Sequence, residues 1–73
     1  MPDVRLEIEI DGINSQEGVD ALERRLNDLG VTIHTLGISR VALSYDQNQI
    51  RTPAIERAIE EAGGAVRRLQ RES

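Results

Sequence analysis

The chain has 73 residues, enough for one small hydrophobic core, so we expect a single domain over residues 1–73. It has no cysteine, which excludes disulfides, thiolate metal clusters and cysteine nucleophiles and favours a cytoplasmic location. The net charge is −4, every basic residue is arginine and Tyr45 is the single aromatic residue, so nucleic acid is not an expected partner, whether held by charge or by base stacking.

The first predicted element is a strand in which aliphatic and charged residues alternate, with one face toward a core and one toward solvent. The segment Pro2–Asp11 lacks the continuous apolar run of a signal peptide or membrane span, so we expect no membrane association. The aliphatic positions of this strand are Val4, Leu6, Ile8 and Ile10.

A helix follows the break at Asp11-Gly12. Asn14 and Glu17 have the spacing of a capping box, so the helix is expected to begin near Ser15, with either Ser15 or Asn14 as its cap. Gly30 is the expected left-handed stop. The apolar stripe of the helix is Val19, Leu22, Leu26 and Leu29.

Residues 31–36 and 40–45 are rich in β-branched and aliphatic residues and predict a hairpin that turns at Gly37. Two phases fit the first strand: either Val31, Ile33 and Thr35 face the core, or Thr32, His34 and Leu36 do. We favour the first, because it buries two aliphatic residues and no titratable group. In the second strand Val41, Leu43 and Tyr45 are expected to face inward.

The second helix is expected to open with Thr52 as its cap and Pro53 at its first position. It should end at Gly63-Gly64, and Ala65–Arg71 then predicts a final strand. This strand is placed at an edge of the sheet because Arg67, Arg68 and Arg71 would discourage further pairing. The buried stripe of the helix is Ile55, Ala58, Ile59 and Ala62.

The similarity between Leu22–Gly30 and Ile55–Gly63, each of which follows a strand, indicates two strand-helix-strand halves. The right-handed crossover rule then predicts an α+β fold of the ferredoxin-like βαββαβ type. Its four-stranded antiparallel sheet should have the order 4-1-3-2, with both helices on one face.

The same order of elements resembles the heavy-metal-associated domains of copper chaperones and metal-pumping ATPases, from about residue 4 to 69. The matching segments are Gly12-Ile13, Leu29-Gly30-Val31, residues 41–46 and residues 58–63. The family carries a GMxCxxC motif whose two thiolates hold Cu(I) between the first strand and the first helix. Here Ser15 and Gly18 stand at the two cysteine positions, so the resemblance implies the scaffold without thiolate ligands. We expect no cofactor and no tightly bound metal.

Other metal ligands are sparse. Asp11, Glu17 and Asp20 lie near the first helix start, but they lack the spacing of the six to eight oxygens that Ca²⁺ needs. His34 has no histidine partner at metal spacing and is interpreted as an ordinary strand residue. A hard-cation site on these carboxylates or on His34 therefore stays as the alternative.

The remaining charged groups are interpreted as solvated surface. The pairs Glu60-Glu61 and Glu7 with Glu9 lack the apolar pocket that acid/base catalysis needs, so the chain is not expected to be an enzyme. The arginines at 67, 68 and 71 are consistent with an acidic partner or with a solvated edge strand.

Three functions are consistent with these observations. The leading one is a non-catalytic protein-interaction or regulatory module, with a protein partner or a homo-oligomer formed by pairing at a sheet edge. The second is a metal-handling protein that uses carboxylates, His34 or a partner chain. The third is a designed or stripped scaffold without a biological function.

Overall fold

The computed structural model describes residues 3–72, and it contains six elements in the predicted order. The α+β class is confirmed, with four strands in one antiparallel sheet and two helices. The elements are β1 (Val4–Asp11), α1 (Gln16–Leu29), β2 (Thr32–Leu36), β3 (Arg40–Tyr45), α2 (Thr52–Glu61) and β4 (Ala65–Glu72).

The sheet has the order β2-β3-β1-β4, which is the predicted order 4-1-3-2 counted from the opposite edge. Strand β1 is central. It places Leu6 opposite Leu43 of β3 and Ile8 opposite Leu69 of β4. Strands β2 and β4 therefore form the two edges, as predicted for β4.

Both helices pack on one face of the sheet, where their buried side chains join those of β1 and β3 in one cluster. Leu22 and Leu26 of α1 and Ile55 and Ile59 of α2 are fully buried. Burying each of these side chains stabilises the fold by about 1.5–3 kcal/mol. Neither helix of residues 3–72 is long and apolar enough to cross a membrane.

The phase of β2 changes within the strand. Ile33 lies opposite Leu43 and faces the core, as predicted, but a bulge at His34 shifts the register so that Thr35 lies opposite Ala42 on the other face. Leu36 then faces the core. The predicted inward orientation of Thr35 is therefore wrong, because one extra residue in a strand exchanges the two faces beyond it.

The helix starts differ from prediction by one residue. Ser15 is the cap of α1, and its hydroxyl accepts a hydrogen bond from the Gly18 N–H at 3.2 Å. Of the two expected caps, Ser15 is therefore confirmed, and the capping box of Asn14 with Glu17 is wrong. In α2 the cap position is Arg51. The predicted cap, Thr52, is the first helical residue, and its Oγ1 pairs with the Tyr45 hydroxyl at 2.9 Å.

The helix ends agree with prediction. Gly30 closes α1 with φ 92°, and Gly63 follows α2 with φ 96°. Both angles lie in the left-handed region, which glycine adopts at little cost because it has no Cβ.

Tyr45→Phe should lower the free energy of unfolding by about 0.5–1.5 kcal/mol, because it removes the hydroxyl that joins β3 to the first turn of α2. The measurement is urea unfolding of Tyr45→Phe, Thr52→Val and the double variant. The tyrosine substitution should cost measurably less in the Thr52→Val background. Equal costs in both backgrounds would show that the pair contributes nothing.

Candidate functional site

The loop between β1 and α1 is where the resemblance places a metal site. Ile13 is turned into the core at 5% exposure, and Asn14, Ser15 and Glu17 are exposed. The Ser15 hydroxyl already serves as the cap of α1. The first of the two positions that the resemblance aligns with cysteines is therefore taken up by a structural hydrogen bond to the backbone.

At Gly18, the second position that the resemblance aligns with a cysteine, the space for a side chain is occupied by Ile13. A Cβ built on Gly18 would lie 2.9 Å from Cγ2 of Ile13, closer than real Cβ contacts allow. On the other side of Ile13, a Cβ on Gly64 would lie 3.1 Å from its Cδ1. Ile13 thus occupies the space between the start of α1 and the turn after α2, and a side chain at position 18 would have to displace it.

The carboxylates near this loop are engaged locally. Asp11 Oδ1 accepts a hydrogen bond from the Gly12 N–H at 2.9 Å, and Asp20 Oδ1 accepts one from the Gln16 side chain at 2.9 Å. His34 lies two strands away, with its Nε2 2.7 Å from Ser44 Oγ. Across residues 3–72, no three histidine, aspartate or glutamate side chains converge as a metal site would require.

The face of the sheet opposite the helices carries a set of charged residues that sequence analysis did not assemble. We call this set the charged face, and two ion pairs cross it between β1 and β4: Arg5 Nε to Glu72 Oε2 at 3.6 Å, and Arg68 Nη1 to Glu9 Oε2 at 3.9 Å. The alternation in β1 predicted that one face of this strand is exposed to solvent. It could not predict which β4 residues form ion pairs with it, because that depends on the register between the two strands. The charged face consists of Arg5, Glu7, Glu9, Arg40, Arg68 and Glu72.

Glu7 and Glu72 form a carboxyl pair on this face. The pKa of Glu72 is raised, first by a hydrogen bond from its protonated form to Glu7, then by desolvation and by the negative charge of Glu7. The positive charge of Arg5 acts in the opposite direction. The Glu72 side chain is exposed, so this raised pKa belongs to a carboxyl on the molecular surface.

The outer edge of β4 exposes backbone groups whose direction follows from the pairing. The Ile10 N–H donates to the Ser39 carbonyl at 3.0 Å, so even-numbered residues of β1 point their backbone groups toward β3 and odd-numbered ones toward β4. Arg68, Gln70 and Glu72 lie opposite odd-numbered residues and point inward to β1. Leu69 and Arg71 therefore point their N–H and C=O groups out of the sheet.

The two edges differ in regularity. In β4 a register shift leaves Arg67 without a direct partner among the described residues of β1, but Arg68–Glu72 beyond it pair one to one. In β2 the bulge at His34 lies in the middle of a five-residue strand. We call Arg68–Glu72 the regular edge segment, and it is the longest undistorted run on either edge.

A shallow groove of about 320 Å³ separates the two helices on the outer side of the molecule. The ion pair between Arg25 and Glu61, at 3.1 Å, joins one helix to the other there. The groove carries both signs of charge, so it does not select a ligand of one charge. Its walls include Asp28, Leu29, Ala54, Arg57 and Ala58.

The chain was also compared with known proteins. No protein-family model matches it, and a search of curated proteins found no significant match.

Gly18→Ala should destabilise the fold by about 1 kcal/mol, because overpacking against Ile13 outweighs the usual gain of about 0.5–1 kcal/mol for alanine over glycine in a helix. Thermal or urea unfolding measures the change. In an Ile13→Leu background, which lacks the Cγ2 branch, the same substitution should be neutral or stabilising. A stabilising effect in the native background would mean that Ile13 does not fill this space.

Glu7→Gln should lower the pKa of Glu72, because it replaces a repelling carboxylate with an amide that donates a hydrogen bond to the ionised form. A raised folded-state pKa makes stability fall as pH rises from the unfolded pKa through the folded one, so this fall should flatten in the variant. Carboxyl NMR titration measures the pKa directly. Glu23→Gln on α1 is the control and should leave the titration of Glu72 unchanged.

Proposed function

We propose that the chain is a non-catalytic interaction module built on a ferredoxin-like βαββαβ scaffold. The scaffold resembles a heavy-metal-associated domain in which Ile13 packing and the Ser15 cap occupy the former metal loop. Its binding surface in this proposal is the outer edge of β4. Function then depends on backbone pairing instead of on metal chemistry.

The observation that carries the proposal is the regular edge segment. Leu69 and Arg71 direct backbone donors and acceptors away from β1, in a strand whose side chains are mostly exposed. An extended polypeptide can add to such an edge as a further strand, with affinity from main-chain hydrogen bonds and selectivity from alternate side chains. Arg68 on the charged face and half-buried Leu69 on the helix side would favour a partner that alternates acidic and aliphatic residues.

The metal-handling alternative has weaker support. Glu7 and Glu72 are neighbouring carboxylates on the charged face, but the guanidinium of Arg5 lies 3.6 Å from Glu72. That positive charge opposes a cation at the same position. The hydrogen bonds of Asp11 and Asp20 at the other candidate position are made within the loop and the first turn of the helix.

A seven-residue synthetic peptide that alternates valine and glutamate should bind the edge of β4 weakly. In an NMR titration of dilute protein, the largest amide shifts are expected at Leu69 and Arg71, because their N–H groups point outward. Binding confined to the helix groove or to the loop at Gly12 would contradict the proposal.

The matched variants for this titration are Arg71→Pro and Arg71→Ala. Both remove the arginine side chain, but only proline also removes the outward N–H, and an edge strand tolerates proline at such a position. The alanine variant should keep most of the peptide binding and the proline variant should lose it. Equal binding by both would show that the backbone edge is not the site.

A further inference from the structure

The regular edge segment is complementary to itself in charge. Its central residue is Gln70, and Arg68 and Glu72 lie two positions to either side, all three on the charged face. When two copies of such a segment pair antiparallel about a two-fold axis at Gln70, Arg68 of each copy lies opposite Glu72 of the other. Opposite charges facing each other across an antiparallel pair stabilise it.

The backbone groups fit the same register. Leu69 and Arg71 are the residues that point outward, and a two-fold axis at Gln70 places Leu69 of one copy opposite Arg71 of the other. Residues that both point toward the partner strand exchange both of their N–H···O bonds. Each of the two Leu69–Arg71 pairs would therefore be a fully hydrogen-bonded pair.

Neighbouring registers are less favourable. If the two-fold axis passed through Leu69, Arg67 of one copy would lie opposite Arg71 of the other. The interface would then include the irregular part of β4. An axis at Arg71 places that arginine opposite its own copy. Like charges directly opposite destabilise an antiparallel pair, and a shift that sets an outward residue against an inward one forms no backbone bonds.

We propose that the occupant of the β4 edge is a second copy of this chain, paired antiparallel about Gln70 so that two four-stranded sheets become one continuous sheet. This proposal rests on the proposed function of the same edge and names its partner. Arg68, which the sequence suggested would discourage pairing, becomes one half of the intermolecular ion pair with Glu72.

The test is sedimentation equilibrium on the full chain over a wide range of protein concentration. Wild-type protein should show a monomer–dimer equilibrium. Arg68→Glu alone and Glu72→Arg alone should each weaken it by about tenfold, because each replaces two attractive contacts in the homodimer with two like-charged ones. An equimolar mixture of the two variants should recover dimer, since the reversed charges then face opposite charges.

The controls are Arg24→Glu and Glu23→Arg on α1, which make the same changes in charge away from the edge and should leave the dimer constant unchanged. Circular dichroism checks that every variant is folded. Within each chain, Arg68→Glu also sets a second carboxylate opposite Glu9, and Glu72→Arg sets a second guanidinium opposite Arg5. Because both variants keep these contacts in the mixture, recovery of dimer there separates the intermolecular effect from any loss of folding stability.

Three results would overturn the proposal: protein that stays monomeric at every concentration, edge variants that dimerise like the wild type, or a mixture that recovers no dimer. None of these results tests the interaction module itself, which is tested by the titration with the valine-glutamate peptide. Peptide binding at Leu69 and Arg71 by a monomeric chain would retain the module and exclude the second copy, whereas failure of both experiments would exclude both.

Discussion

The register of β1 is the constraint on which the rest of the structure depends. Leu6, Ile8 and Ile10 are buried between the sheet and the helices, while Glu7 and Glu9 lie on the charged face. A slip by one residue would expose the aliphatic set and bury the carboxylates beneath α1 and α2, and a buried unpaired charge is strongly unfavourable. Because this slip is so unfavourable, β1 pairs with β3 and β4 in one register only. That register also determines the face on which Arg68 and Glu72 lie.

The loop after β1 is held by packing and by one side-chain cap. Gly18 and Gly64 both pack against the Ile13 side chain. The Ser15 hydroxyl accepts a hydrogen bond from the first turn of α1. The connection between β1 and α1 is therefore stabilised by apolar packing and by one helix cap. Ion pairs between elements lie elsewhere: two cross the charged face between β1 and β4, and one joins α1 to α2 at the helix groove.

The sequence predicted the elements and their order because periodicity is a strong signal in β1, α1 and α2. It did not predict the bulge at His34, since a period of two assumes an uninterrupted strand, and the error appears in the orientation of Thr35. Nor could it choose Ser15 over Asn14, because both are good caps one residue apart. Thr52 was expected to cap α2, but the cap position is Arg51, and the Thr52 hydroxyl pairs with the Tyr45 hydroxyl. That contact joins a strand to a helix, so local sequence spacing does not reveal it.

In the proposed dimer, the two bulges limit association to one edge of each sheet, so that pairing does not extend into a fibre. A chain with two regular edges could add copies at both and extend indefinitely. Here the bulge at His34 divides β2, so that edge is a poor template, while the irregularity in β4 lies near its start and leaves Arg68–Glu72 intact. Pairing of β4 with β4 uses the same edge in both copies, so neither copy keeps a free β4 edge for a third chain. The proposed assembly would therefore close at two chains, with a bulged β2 at each outer edge.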